Sequence, residues 1–265
     1  MADDWFDKYE GLAFERREHG VLLIIINRPG SYNSTDAKLH WALSRIWLDI
    51  EDDDDTRVVV ITGAGKAFSA GGDLDWIESF VGDYDAIRDV LKEAGDLVYR
   101  MLACPKVIIS AINGVAVGAG LAVALMADIS IMADEAKLTD GHLSIGVGAG
   151  DHANIIWPLL CGMAKAKYYL LTAEFLDGRT ADQIGLVSKS VPLDELMYEA
   201  MKVANKIATG PQDAARWTKR SLNLWLQQSA PNFDASLALE MLAFLGPDAA
   251  EGVAAVREKR PPNFD

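Results

Sequence analysis

The stretch Val58-Val59-Val60-Ile61-Thr62-Gly63, followed by Lys66-Ala67-Phe68-Ser69-Ala70-Gly71-Gly72-Asp73-Leu74, reads as a buried strand that ends in a glycine-rich loop. A second apolar run, Val107 to Ile112, is broken by Asn113-Gly114 and leads to Gly118-Ala119-Gly120, which opens an apolar helix running to Met126. Glycine lets backbone N–H groups approach a ligand with no side chain in the way. A helix start adds unpaired N–H groups and a dipole that favours negative charge. Two such N–H groups aimed at one oxygen would make an oxyanion hole, in which one donor contributes roughly 3–4 kcal/mol to a transition state. Taken alone, the glycines read more simply as two tight turns with close helix–strand packing. No Gly-Lys-Ser/Thr follows either cluster, which excludes a nucleotide P-loop, and the Gly-x-Gly-x-x-Gly dinucleotide pattern is absent at both places.

Outward from these loops, strand and helix patterns alternate. Glu10 to Asn27 predicts two short strands, the second being the run Val21 to Ile26. Asp36 to Asp52 and Asp85 to Ala103 have helical spacing, the acidic run Glu51 to Asp55 reads as a solvated turn, and Ile129 to Ala133 is strand-like. From Leu193 the chain turns mostly helical, over Leu193 to Ala208, Pro211 to Leu226 and Asp234 to Phe244. The pattern is that of an α/β fold, divided into residues 1–195 and a helical region 196–265. With 25 Lys plus Arg against 39 Asp plus Glu, the formal net charge is −14, which repels phosphate backbones and anionic lipid. Nucleic acid and membrane surfaces are therefore not expected partners. Cys104 and Cys161 form no disulfide framework and suit a reducing compartment. Met1-Ala2-Asp3-Asp4-Trp5 has no basic and apolar leader pattern, so the expected location is the cytoplasm. The uncharged stretch Val107 to Ala127 is long enough to span a bilayer, but its glycine turns read better as strand, turn and buried helix.

The order of the pieces resembles the crotonase (enoyl-CoA hydratase/isomerase) superfamily. Val59 to Gly63 with Lys66 to Leu74 is similar to its first signature, and Lys106-Val107-Ile108 through Gly120 to Ala127-Asp128 to its second. Leu170-Leu171-Thr172 with Ala181 and Gly185-Leu186-Val187 matches the third, and Glu258 to Phe264 the usual C-terminus. The resemblance implies a spiral of ββα turns with a C-terminal helical trimerisation region, and assembly into trimers or hexamers. It implies oxyanion donors at Gly72 and Ala119 and an acyl-CoA or related carbonyl substrate, with no cofactor beyond CoA as part of that substrate. It also puts Arg28, Ala70, Asp73 and Lys259 on the substrate and CoA side. Asp73 and Asp128 read more simply as loop and cap residues than as chemical groups.

The chain departs from the hydratase pattern at both positions where that pattern has a catalytic glutamate. Here they are Ala122 and His142. Alanine cannot move a proton, so ordinary hydration of an enoyl-CoA is not expected. The run from His142 to Asp151, followed by Trp157-Pro158, resembles the 6-oxocamphor hydrolase branch, which hydrolyses a carbon–carbon bond in a β-diketone with a His and an Asp at this spacing. His142 and Asp151 are therefore the expected base and partner, a carboxylate raising the imidazole pKa and setting its tautomer. Asp151 is also a candidate helix N-cap. His152 reads as a supporting residue; His19, His40 and Glu240 are given no role. No His, Cys and carboxylate set has metal-ligand spacing, so no metal is expected. Three readings stay open: an acyl-CoA enzyme passing through an enolate or tetrahedral intermediate, a β-diketone hydrolase, and an inactive acyl-CoA-binding protein.

Overall fold

Val21-Leu22-Leu23-Ile24-Ile25-Ile26 has no polar side chain to show to water, so such a strand belongs inside a sheet covered on both faces. The structure, a computed structural model, describes residues 5–264; the reading of a leader-free start rests on Met1 to Trp5, of which residues 1–4 lie outside the described part. In chain order the elements are β1 (Leu12–Arg16), β2 (Val21–Ile26), α1 (Ala37–Asp52), β3 (Val58–Gly63), β4 (Ala67–Ser69), α2 (Leu74–Phe80), α3 (Tyr84–Ala103), β5 (Val107–Ile112), β6 (Val115–Val117) and α4 (Gly118–Met126). There follow β7 (Ile129–Ala133), β8 (Lys137–Thr139), α5 (Ala153–Thr172), β9 (Leu176–Asp177), α6 (Gly178–Gln183) and β10 (Lys189–Val191). The helices α7 (Leu193–Ala208), α8 (Gln212–Gln227), α9 (Ala230–Ala243) and α10 (Pro247–Glu258) complete the chain.

A six-stranded sheet has the order β1-β2-β3-β5-β7-β10, and a four-stranded sheet the order β4-β6-β8-β9. Only β1–β2 is antiparallel in the larger sheet, with Leu12 opposite Ile26 and Arg16 opposite Leu22. Three successive turns of chain each place a strand in the larger sheet, then one in the smaller sheet, then helix: β3-β4-α2-α3, β5-β6-α4 and β7-β8-α5. This is the expected ββα spiral. It stacks the loops after β4 and β6 at one place, because those two strands pair directly, Ala67 with Val115 and Ser69 with Ala116.

Local signals set the helix ends. Asp36 accepts the Leu39 N–H at 2.9 Å, and Asp83 accepts the N–H groups of Asp85 and Ala86 at 3.0 and 3.1 Å. The uncharged run from Val107 is β5, a turn, β6 and α4, and no helix among the described residues is long and apolar enough to cross a membrane. One expectation is corrected: the acidic run is not wholly solvated. Asp53 is buried, where it accepts from Arg16 at 3.0 Å and from Thr56. Helix α10 is an addition to the sequence reading; its Ala- and Gly-rich face lies so close to the loop after β8 that a Cβ on Gly252 would stand 2.3 Å from the Ile145 backbone.

The C-terminal helices are tied to the spiral by polar groups as well as packing. Lys219 of α8 is buried and lies 2.8 Å from Asp128 Oδ2, and it donates to the Lys106 carbonyl at 2.9 Å. Asp128 in turn accepts the Ile108 N–H at 2.8 Å. Helix α9 packs on α3 and α5 and so reaches the floor of the site described next.

Candidate active site

After β4 the chain turns through Gly71, whose φ of +90° is in the region glycine favours. The Thr35 N–H donates to the Gly71 carbonyl at 2.7 Å, and the Asp73 N–H donates to the Thr35 carbonyl at 2.9 Å. Because residues 71 and 73 both turn towards Thr35, the N–H of Gly72 between them points away from Thr35. The second loop enters α4 through Gly118, at φ +50°, whose N–H donates to the Asp140 carbonyl at 3.2 Å. The Ala119 N–H is in the first helical turn, where no intrahelical acceptor exists. The two loops touch: a Cβ on Gly118 would be 3.7 Å from Gly71 Cα and 4.0 Å from Gly72 N. Gly72 and Ala119 both line a cavity of about 410 Å³, as does Ala70.

The floor of that cavity is ionisable. Gly141, at φ +81°, turns the chain into a 3₁₀ turn, His142–Ile145. His142 Nδ1 is 2.8 Å from Asp140 Oδ1, and its Nε2 is 3.5 Å from Glu240 Oε1. Glu240 is held by the Gly150 N–H, which donates to its Oε2 at 3.0 Å. Asp151 is bound through Oδ1 to His152 Nδ1 at 2.6 Å. One polar atom from each of His142, Asp151 and Glu240 lies within 4.8 Å of the others. Burial disfavours the charge on His142, but Asp140, Glu240 and Asp151 outweigh it and hold the imidazole pKa well above its ordinary value. Burial pushes Glu240 up to about 8 despite the pull of His142. Burial also opposes ionisation of Asp151, yet His152 and His142 hold it below the usual carboxylate range. The result is an acid–base cluster in which Glu240 exchanges its proton near physiological pH. His142, Asp151 and Glu240, or Asp140, Asp151 and His152, are also close enough to surround a cation, a convergence that their sequence spacing does not display.

The structure brings His142 and Asp151 to one floor, but the hydrogen-bonded partner of His142 is Asp140, and Asp151 pairs with His152. His152 is fully buried and its Nε2 has no partner among the described residues. Ala122 is buried inside α4. Arg28 braces the loops: it donates to the Ser34 carbonyl, and it lies 3.0 Å from Asp36 and 3.8 Å from Asp73. Asp73 caps α2 by accepting the Asp75 N–H at 3.1 Å, and it also accepts from the Ser34 hydroxyl at 3.1 Å. Lys259 ends α10 at φ +55°, exposed and without an ion pair among the described residues. Sequence reasoning passed over Glu240, although Phe233, Leu237 and Met241 mark its side of α9 as the buried face. It also passed over His40, which lines the cavity and holds Glu93 at 2.8 Å.

The family model described as enoyl-CoA hydratase/isomerase matches residues 16–265. The crotonyl-CoA hydratase of Syntrophomonas wolfei subsp. wolfei is 32% identical, over 97% of this chain and 98% of its own length. Among solved structures, an enoyl-CoA hydratase/isomerase from Mycobacterium paratuberculosis is similar at a TM-score of 0.87 and 33% identity, covering 92% of this chain and 97% of that one. A beta-diketone hydrolase from the cyanobacterium Anabaena sp. PCC 7120, bound to (S)-3-oxocyclohexyl acetic acid, is similar at a TM-score of 0.85 and 30% identity, covering 91% of this chain and 97% of its own. Matched along nearly its whole length in sequence, and built as a ββα spiral with two glycine loops facing one cavity, this chain belongs to the enoyl-CoA hydratase/isomerase (crotonase) family.

Proposed function

We propose that this chain hydrolyses the carbon–carbon bond between the two carbonyls of a 1,3-dicarbonyl compound. The observation that carries the reading is the place of His142. It stands where the family's hydratases have a glutamate, and it lies between Asp140 and Glu240 on the cavity that Gly72 and Ala119 line. One carbonyl oxygen of the substrate accepts from the N–H groups of Gly72 and Ala119. Water adds to that carbonyl carbon and gives its proton to the His142–Glu240 pair, and the oxyanion forms where the two donors point. The tetrahedral intermediate collapses with cleavage of the carbon–carbon bond, whose electrons pass into the enolate of the second carbonyl. The pair returns the proton to the enolate carbon. One water is consumed, and a carboxylic acid and a ketone are released. Asp151 keeps a negative charge beside His142 throughout.

A second reading is proton transfer on an acyl-CoA thioester, which the name of the Syntrophomonas relative favours. Ala122 counts against hydration, and Arg28, engaged with Asp36 and Asp73, is a poor candidate for the CoA phosphates. The test is to give the purified protein a bicyclic 1,3-diketone and crotonyl-CoA side by side. We expect a keto acid from the diketone and little or no hydration of crotonyl-CoA. Hydration at an ordinary hydratase rate would overturn this reading, and turnover of neither would favour an inactive binding protein.

Assembly into a trimer or hexamer belongs to the same proposal. The side of α8 that faces the spiral carries Lys219 and Asn223, whereas Trp217, Leu222 and Trp225 face outward. An apolar face turned away from its own core suits a second copy of the chain.

A further inference from the structure

His40 is a polar group in an apolar wall. It stands on α1 and lines the same cavity as Trp76, Ile77, Phe80, Val90 and Ala94. The residue is 3% exposed, and its ring packs at a centroid distance of 4.9 Å from Trp76. Nδ1 is 2.8 Å from Glu93 Oε2 on α3. Nε2 bonds no protein atom among the described residues, and the residue lines the cavity. A ligand group there would supply a hydrogen bond that no protein atom makes to Nε2.

Glu93 decides which partner. An ionised carboxylate only accepts hydrogen bonds, so Nδ1 carries the hydrogen and, in the neutral ring, Nε2 is left as a lone-pair acceptor. Its partner must then be a donor. A molecule whose carbonyl sits at Gly72 and Ala119 shares its cavity with the Trp76 wall and with His40.

We propose that His40, oriented by Glu93, is a specificity-determining residue that accepts a hydrogen bond from a hydroxyl on the substrate, on the part remote from the reacting carbonyl. The substrate class is therefore a hydroxylated carbonyl compound with an apolar, ring-sized body. This rests on the cavity being the carbonyl site proposed above, and the test uses binding in place of turnover, so it does not depend on which reaction is catalysed.

The probes are methyl cyclohexyl ketone and methyl 3-hydroxycyclohexyl ketone, titrated against the full chain by ligand-observed NMR. We expect the hydroxylated ketone to bind about five-fold more tightly, the scale of one net hydrogen bond. His40→Phe should abolish that difference while leaving the affinity of the plain ketone nearly unchanged. Glu93→Gln, which keeps the side chain's shape and replaces an obligate acceptor by a group that can also donate, should shrink the difference, and this second variant guards against a folding defect in the first. A pairing that only ties α1 to α3 would lower the melting temperature and weaken both probes alike, and that result overturns the proposal. Equal affinities in the unmodified protein, or a preference that survives His40→Phe, overturn it too. Binding of neither ketone would bring down the carbonyl-site reading together with this one.

Discussion

Glu240 is the residue on which the proposed chemistry turns. Buried beneath Gly150 and beside His142, it keeps its proton up to about pH 8. Only the deprotonated form of the His142–Glu240 pair can take a proton from water, so that form accumulates as the pH rises through Glu240's pKa. Activity should therefore climb with pH towards 8 and level off above it, and it should fall about ten-fold per unit on the acid side. Glu240→Gln preserves the acceptor for the Gly150 N–H but cannot titrate. We expect it to lower turnover by roughly 10²-fold or more and to erase the inflection near 8. Combining it with His142→Ala should cost scarcely more than either change alone, because the two act as a unit. An unchanged pH profile in Glu240→Gln would assign the base elsewhere in the cluster, with Asp151 and His152 the next groups to vary.

At the scale of elements, the site depends on how closely β4 and α4 approach. Gly120 sits one residue past the proposed donor Ala119, and a Cβ there would lie 2.2 Å from Ser69 Cβ. Ser69 is the last residue of β4 and precedes the loop of the other donor. Gly120→Ala should thus push the two glycine loops apart. The expected cost is about 1–3 kcal/mol of stability, readable in a denaturant titration, as for other overpacked cores. Turnover should fall further than that loss of folded protein explains, because moving a reacting group by ~1 Å can cost about 10²-fold. Full turnover in a correctly folded Gly120→Ala would mean that the loops need not be this close for activity.

For the molecule as a whole, the outward face of α8 decides the state in solution. Trp217, Leu222, Leu224 and Trp225 are all at least half exposed in the single chain. Sedimentation at micromolar concentration should give a trimer or a multiple of it. Leu222→Glu with Trp225→Glu should shift it to the monomer, since each introduces a charge that an apolar interface cannot pair. A monomeric unmodified protein would remove the assembly proposal, leaving the site within one chain untouched.

Much of this protein was legible in its sequence because the signals are local. An apolar run such as Val21 to Ile26 has only one comfortable setting, and the helix read from Asp36 is capped by that residue through an N–H three residues away. The glycine loops were legible for the same reason: backbone shape and a helix start are properties of a few consecutive residues. The resemblance in motif order then anticipated the spiral. What the sequence could not decide is which side chains meet after packing. Asp140 and Asp151 are both near His142 along the chain, and only the turn at Gly141 gives Nδ1 to Asp140. Glu240 reaches the same imidazole from a helix late in the chain, and Arg28 is taken up by Asp36 and Asp73. The proton on Glu240 was equally hidden, since it follows from burial among other acids. Local sequence determines backbone conformation within a window of a few residues; burial and charge neighbourhood belong to the packed whole, and the acid–base character of this cavity is made of those two.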